Sequence, residues 1–179
     1  QALLNGHFKL TSGRHSNQYM QCAQVLKYPH YTEKLARHLA DGFLDDGVEL
    51  VVGPAMGGII VAYEVGRQLG VPAIFTERQD GEMVIRRGFS IEPGQKVLVV
   101  EDVVTTGGSV KEVIEQVKSA GGEVIGVGVL VDRSAGKVDF GVKTVATLTM
   151  DIESWEPDNC PLCQEGKIEV IKPGSRTVK

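Results

Sequence analysis

Residues 97–109 constrain this chain more than any other stretch. Val97-Leu-Val-Val100 is an unbroken apolar run, and it gives way directly to two carboxylates, Glu101 and Asp102. Val103 and Val104 follow, then Thr105-Thr-Gly-Gly-Ser109, then Val110-Lys-Glu-Val-Ile-Glu-Gln-Val117 at helical spacing. The order reads strand, loop, helix, because a run with no polar break suits a strand buried on both faces of a parallel sheet. Such a strand, ending in Glu101 and Asp102, delivers both acids to the carboxyl edge of the sheet, where open α/β folds bind ligands. Gly107 and Gly108 allow close backbone approach, Thr105, Thr106 and Ser109 add hydroxyls, and the free N–H groups of the first helical turn favour an anion. The pattern suits a phosphate beside a group that a carboxylate can hold.

Neither of the commoner phosphate loops is present, since the Walker and dinucleotide glycine spacings are both absent. The rest of the chain repeats the βα theme. Glu49-Leu-Val-Val-Gly-Pro-Ala-Met-Gly-Gly58 is a buried strand running into a second glycine-rich turn, with a helix over Ile59 to Leu69 behind it. Before it, Tyr31 to Leu44 sets Leu35, Ala36, Leu39, Ala40, Phe43 and Leu44 on one face of an amphipathic helix that Asp45-Asp-Gly47 is expected to stop. Gly6 to Gln21 alternates in short stretches around Ser12-Gly13 and reads as a β-hairpin or a strand with a turn. Val71 to Phe75 is a short strand, and Thr76 to Phe89 is a polar excursion expected to form a two-stranded flap. Val124 to Val131 and Phe140 to Leu148 supply two further strands, and Asp132-Arg-Ser134 brings one arginine to the same sheet edge. The tail from Trp155 to Gly166 reads as loop. The sum is an α/β fold, a doubly wound parallel sheet with a small N-terminal hood (1–25), a flap over the site and a C-terminal tail (150–179), in one domain.

Composition narrows the partners. With 179 residues, 42% of them apolar, the chain can bury a sizeable core, and a net charge of −4 without a Lys/Arg cluster disfavours nucleic acid or membrane as partner. No apolar run approaches membrane-spanning length and no signal-peptide order follows Gln1, although an opening Gln in place of Met leaves room for residues in front. Three cysteines make no disulfide framework, which fits a reducing cytoplasm.

The stretch from Val97 to Ser109 resembles the phosphoribosyl diphosphate (PRPP) motif of type I phosphoribosyltransferases. Phe8-Lys-Leu-Thr-Ser-Gly-Arg-His-Ser16, Gly53-Pro-Ala-Met-Gly-Gly58 and Val131-Asp-Arg-Ser134 occur in the order and at the distances of orotate phosphoribosyltransferases. The resemblance implies a homodimeric enzyme of pyrimidine biosynthesis that joins orotate to PRPP with Mg²⁺, giving orotidine 5′-monophosphate and pyrophosphate. It implies catalytic roles for Glu101 and Asp102, which hold the ribose hydroxyls, while Thr105, Thr106, Gly107, Gly108 and Ser109 cradle the 5′-phosphate and Val103 and Val104 complete the PRPP-binding stretch. Ala55, Met56 and Gly57 would hold the diphosphate, Arg78, Arg86 and Arg87 would serve it from the flap, and Thr105, Arg133 and Tyr19 would contact orotate.

Several positions depart from that family. A lysine is expected where the chain has Thr11 and another where it has Gly57, and the flap offers only Arg78, Arg86 and Arg87 in place of a lysine-rich loop with a histidine. Arg86 and Arg87, from this or a neighbouring subunit, and Lys9 are the candidate replacements, against a solvated flap. Cys160-Pro-Leu-Cys163 has the spacing of half a zinc site, but only Cys22 remains as a further cysteine, so the choices are a structural turn or a site shared across a dimer. A redox pair is disfavoured because no helix is expected behind the motif. The competing functions are a purine or uracil phosphoribosyltransferase, against which the Phe8 to Ser16 segment and Arg133 speak, and a PRPP-sensing regulator that binds nucleic acid, against which the acidic balance speaks.

Overall fold

The apolar runs around Val51 and Val99 become adjacent central strands, and their side chains alternate between two separate cores. The structure, a computed structural model, describes residues 2–10 and 12–173. An antiparallel hairpin of β1 (Leu3–Lys9) and β2 (His15–Met20) opens the chain, followed by α1 (Ala23–Leu26) and α2 (Pro29–Asp41). The units β3 (Leu50–Pro54), α3 (Gly57–Leu69), β4 (Ala73–Gln79) and β6 (Lys96–Val104), α4 (Gly108–Ser119), β7 (Glu123–Asp132) follow, with β5 (Glu82–Ile85) between them and β8 (Lys143–Thr149) after them. A 3-10 turn (Pro157–Asn159) and α5 (Pro161–Glu165) end the described elements.

The main sheet has the order β5-β4-β3-β6-β7-β8, parallel throughout except for β5 against β4. Strand side chains alternate with a period of two. Leu50, Val52, Val97, Val99, Val127 and Val129 therefore meet Val110, Val113, Ile114 and Val117 of α4, while Val51, Leu98, Val100 and Leu130 meet α2 and α3. Helices on both faces are the doubly wound arrangement that the alternating pattern implies. Each fully buried Val or Leu contributes about 1.5–3 kcal/mol, so the two central strands anchor the whole layer structure.

The unit built on β3 runs outward to β4 and the unit built on β6 runs outward to β7, so the winding direction reverses between β3 and β6. At such a reversal the loops behind adjacent strands diverge and leave a crevice at their carboxyl ends. The turn at 55–57 and the loop at 105–107 border that crevice.

The elements differ from expectation in five places. β6 continues through Val104, with Val103 and Val104 paired to Val131 and Asp132, so both acids lie within the strand and do not terminate it. β4 runs to Gln79 because Thr76 to Gln79 pair with Glu82 to Ile85, which makes the expected flap a hairpin prolonging the sheet edge. α2 ends at Asp41, ahead of Asp45-Asp-Gly47, although Phe43 is still buried in the core, and the last strand starts at Lys143 because Phe140 packs against a core cluster. The tail is also more ordered than a loop, since Cys160 leads directly into α5 with Pro161 at its first position.

The N-terminal hairpin forms a separate two-stranded sheet, and the tail pairs with both of its strands. His15 and Trp155 exchange backbone hydrogen bonds of 2.8 Å, and Ile171 sits beside β1, accepting from Lys9 N–H at 2.9 Å and donating to the His7 carbonyl at 2.8 Å. Both edges of a hairpin that is marginal alone are thereby covered.

Candidate active site

β6 brings Glu101 and Asp102 to the crevice in unlike states. Glu101 is buried, and its Oε1 accepts the Asp102 N–H at 3.0 Å. Burial, reinforced by the neighbouring Asp102 charge, pushes the Glu101 carboxyl well above the usual carboxylate range. Asp102 is half-buried, and its Oδ1 accepts the Val103 N–H at 2.9 Å. The two acids are therefore not equivalent: Glu101 is buried and holds its proton more tightly than an ordinary carboxylate, while Asp102 is the more accessible of the two, where the sequence suggests a matched pair of ionised acceptors.

The two glycine-rich segments meet at Asp102. A Cβ on Gly57 would lie 2.2 Å from Asp102 Oδ2, so this carboxylate occupies the space where a side chain at 57 would begin. That gives a packing reason for glycine at a position where the family resemblance leads one to expect lysine. Ala55 N–H donates to the Thr76 carbonyl at 2.7 Å, the Ala55–Met56 peptide is cis, and Met56 projects into solvent. No side chain caps α3, whose first-turn N–H groups face the crevice mouth unused by the helix itself.

Across the crevice, Gly107 takes a left-handed conformation (φ 77°) at the start of α4, and a Cβ there would strike Val138 at 2.6 Å. Thr105, Thr106 and Gly108 are exposed, Ser109 is half-buried, and no side chain caps this helix either. Two uncapped helix starts on either side of one carboxylate suit a ligand with anionic groups at two ends. Val103 and Val104 contribute by packing and backbone, since Val104 is buried and Val103 lies against the α2/α3 core.

The third loop and the hood close the other side. The Arg133 N–H donates to the Val104 carbonyl at 2.8 Å, and its guanidinium is buried, reaching the Gln18 carbonyl from Nη2 at 3.4 Å. Arg133 Nε is buried and has no hydrogen-bond partner among the described residues. Burial lowers the Arg133 pKa from its ordinary value, opposed by the nearby Tyr19 phenol. Tyr19, on β2, is half-buried against Phe8, and its phenol is pushed up by burial and then by the Asp102 charge, with Arg133 acting the other way. Hood, strand end and third loop thus converge.

The flap arginines have other partners. Arg86 and Arg87 pair with Glu77 at 3.6 and 3.0 Å, Arg87 also lies over the Phe75 ring, and Arg78 forms an ion pair with Glu112 on α4 at 2.6 Å and donates to the Gly81 carbonyl at 2.6 Å. Lys9 is exposed on β1, and Thr11 lies outside the described residues.

Two features escaped the sequence. Cys22 is not beside the Cys160 motif: its thiol points to the Asp102 carbonyl at 3.8 Å and is pushed up to about 12, chiefly by burial. The partners of Cys160 and Cys163 are instead His7 and His15 of the hairpin, within one chain. Both histidines fall in the opening hairpin, but their distance along the chain from the cysteines hid the connection.

The description of the phosphoribosyl transferase domain matches residues 24–158, three-quarters of the chain by length. The chain is a phosphoribosyltransferase by this match and by its fold. Orotate phosphoribosyltransferases from Desulforamulus reducens and Pelotomaculum thermopropionicum are 64% and 62% identical to this chain over 177 residues, covering 99% of it and 92% and 93% of themselves. The crystal structure of orotate phosphoribosyltransferase from Aeropyrum pernix superposes with a TM-score of 0.67 at 29% identity, over 83% of this chain and 88% of that one. Within the phosphoribosyltransferases, the chain belongs to the orotate phosphoribosyltransferase family. Among the described residues no helix is long and apolar enough to cross a membrane.

Proposed function

We propose that this chain transfers the phosphoribosyl group of PRPP to orotate, and that the crevice between β3 and β6 is where it does so. The observation that carries the reading is Arg133: a buried guanidinium whose Nε has no partner, beside the strand that holds Asp102. Orotate has a carboxylate that the neutral nucleobases lack, and a planar guanidinium is suited to it. Thr105 and Tyr19 complete the base subsite, with the ring of Tyr19 covering the planar base.

PRPP lies along the crevice with its 5′-phosphate on Thr105 to Ser109 at the α4 start. Asp102 accepts from a ribose hydroxyl and Glu101 supplies the second contact, while the Ala55 to Gly57 turn holds the diphosphate. The orotate ring nitrogen attacks the anomeric carbon, the C–N bond forms as the bond to the diphosphate oxygen breaks, and the electron pair leaves on pyrophosphate. An orotate that enters deprotonated at that nitrogen has no proton to lose. The chain's contribution is position and charge, because the anomeric carbon passes through a cation-like state next to Asp102. The donor set fits Mg²⁺, since Asp102 presents a hard, half-buried carboxylate at the mouth and PRPP supplies further oxygens. Mg²⁺ would neutralise the charge that develops on the diphosphate.

The enzyme works as a cytoplasmic homodimer in one domain per chain, with Arg86, Arg87 and Arg78 exchanging their carboxylate partners for the diphosphate when the flap closes. Loss of orotate absorbance with PRPP and Mg²⁺, run beside adenine, hypoxanthine and uracil, tests the reading. Turnover of orotate alone, abolished by chelating Mg²⁺, is expected; turnover of a purine or uracil without orotate overturns it.

A further inference from the structure

We propose that His7, His15, Cys160 and Cys163 form a closed zinc site that fastens the C-terminal segment to the N-terminal hairpin. One ligand atom from each lies within 4.8 Å of all the others, and all but Cys163 are buried. His7 Nε2 is 3.0 Å from His15 Nδ1, 3.4 Å from Cys160 Sγ and 3.6 Å from Cys163 Sγ, and Cys163 Sγ is 3.3 Å from His15 Nδ1. A tetrahedral zinc with bonds of about 2.3 Å to sulfur and about 2.0–2.1 Å to nitrogen has ligand-to-ligand edges of about 3.4 Å (N to N) and about 3.6 Å (N to S). The four separations of 3.0–3.6 Å fall within about 0.4 Å of those edges, so a zinc ion needs only small side-chain adjustments to be seated.

Hydrogen bonding alone does not explain it. His7 Nδ1 lies 3.1 Å from the Ile168 carbonyl, and a carbonyl only accepts, so the ring proton belongs on Nδ1. Nε2 then has a single lone pair, yet three polar atoms crowd around it. One cation at their common centre satisfies all four groups, with the Ile168 carbonyl orienting the His7 ring as the outer partners of zinc-bound histidines do. Two imidazoles and two thiolates in a tetrahedron select zinc among common divalent ions, and four protein ligands leave no open coordination position, which makes the site structural.

The local structure explains how the ligands meet. Lys9 is paired with His15, so His15 and His7 are diagonal neighbours on one face of the hairpin, aided by the register shift between Asn5 and Phe8. Cys160 precedes α5 and Cys163 lies one turn on, which turns both sulfurs to one side. The site therefore closes within a single chain, in contrast to a pair of half-sites shared across a dimer.

The test uses untagged protein, purified under reducing conditions without chelator. Elemental analysis is expected to give one zinc per chain, and the cobalt-substituted protein is expected to show thiolate-to-cobalt charge transfer with tetrahedral d–d bands. Cys160→Ser and His15→Ala should each retain less than about a tenth of the metal, while Cys22→Ser and His30→Ala should retain all of it. A chelator should lower the unfolding temperature of the wild type and leave that of Cys160→Ser unchanged. Wild-type protein that lacks zinc and gives no charge-transfer band when titrated with cobalt overturns the proposal, and this result does not depend on whether any variant folds. Half a zinc per chain overturns the single-chain site, and iron in place of zinc overturns the metal assignment.

Discussion

Replacing Gly57 with alanine isolates the role of the Asp102 carboxylate without touching the acid itself. A methyl at 57 would lie 2.2 Å from Asp102 Oδ2, 2.3 Å from Cγ and 2.6 Å from Oδ1, so the carboxylate must rotate away. The backbone does not resist, because Gly57 begins α3 and is not among the positive-φ residues. Alanine in a helix is favoured over glycine by roughly 0.5–1 kcal/mol, which offsets the loss of the Val103 N–H bond to Oδ1, worth about 0.5–1.5 kcal/mol. Folding stability should therefore change by no more than about 1 kcal/mol.

Ligand binding should change far more. A rotated Asp102 would forfeit the charge-assisted hydrogen bond to the ribose proposed for it, worth roughly 1.5–3 kcal/mol, so kcat/KM for PRPP should fall about tenfold to a hundred-and-fiftyfold. Calorimetry with PRPP and initial-rate kinetics measure the loss, and a denaturant melt checks stability. In an Asp102→Ala background the methyl has nothing to displace, and Gly57→Ala should then cost little more, which is the coupling a double-mutant cycle reads. Full PRPP affinity and rate in the single mutant, or equal costs in both backgrounds, would refute the link between turn and carboxylate.

Arg133→Ala should weaken orotate binding by roughly 1.5–3 kcal/mol and leave PRPP affinity little changed, while uracil, a poor ligand of the wild type, should bind the variant no worse; an unchanged orotate affinity in calorimetry assigns the carboxylate to another group. Asp102→Asn should lower turnover tenfold to about a hundredfold with an intact fold, and an unaltered rate and PRPP affinity would contradict its contact with the ribose. The raised Glu101 pKa means the folded protein holds a proton that the unfolded chain releases near the ordinary carboxylate value, so this contribution is full below that value and is lost as pH rises through the folded pKa. Glu101→Gln, neutral at every pH, should flatten the decline in stability over that window, and identical pH–stability curves for the two proteins would refute the assignment. Replacing Arg86 and Arg87 together by alanine should slow turnover with little effect on orotate binding, and PRPP should protect the wild-type flap from protease; equal cleavage with and without PRPP points to a solvated flap.

The legible parts of the site were those carried by unbroken local patterns. A strand buried on both faces announces itself by its apolar run, and glycines directly behind it mark a tight strand-to-helix turn, so Glu101, Asp102 and both glycine-rich loops could be placed at the sheet edge from residues 49–58 and 97–109. β4 was cut short because its second half is polar: Thr76 is buried but Glu77, Arg78 and Gln79 are not, as befits an edge hairpin. α5 has five residues and no apolar period to read. The state of Glu101 was beyond any sequence pattern, since it follows from how deeply β6 lies under its neighbours.

The hood shows why the proposed base subsite is the least local part of this protein. Tyr19 and the Gln18 carbonyl approach Arg133 from a two-stranded hairpin that forms a sheet apart from the main one, and a hairpin of that size does not hold itself in place. What holds it comes from the far end of the chain: the Trp155 pairing on β2, the Ile171 pairing on β1, the Ser16 hydroxyl donating to the Glu153 carbonyl at 2.8 Å, and the two cysteines facing His7 and His15. His15 and Tyr19 lie on the same six-residue strand. Whatever fixes the imidazole of His15 therefore also fixes the height of Tyr19 above the crevice. The proposed PRPP contacts, by contrast, come from loops anchored on β3 and β6 in the centre of the sheet. Loosening the tail should consequently disturb orotate recognition before it disturbs the phosphate loops.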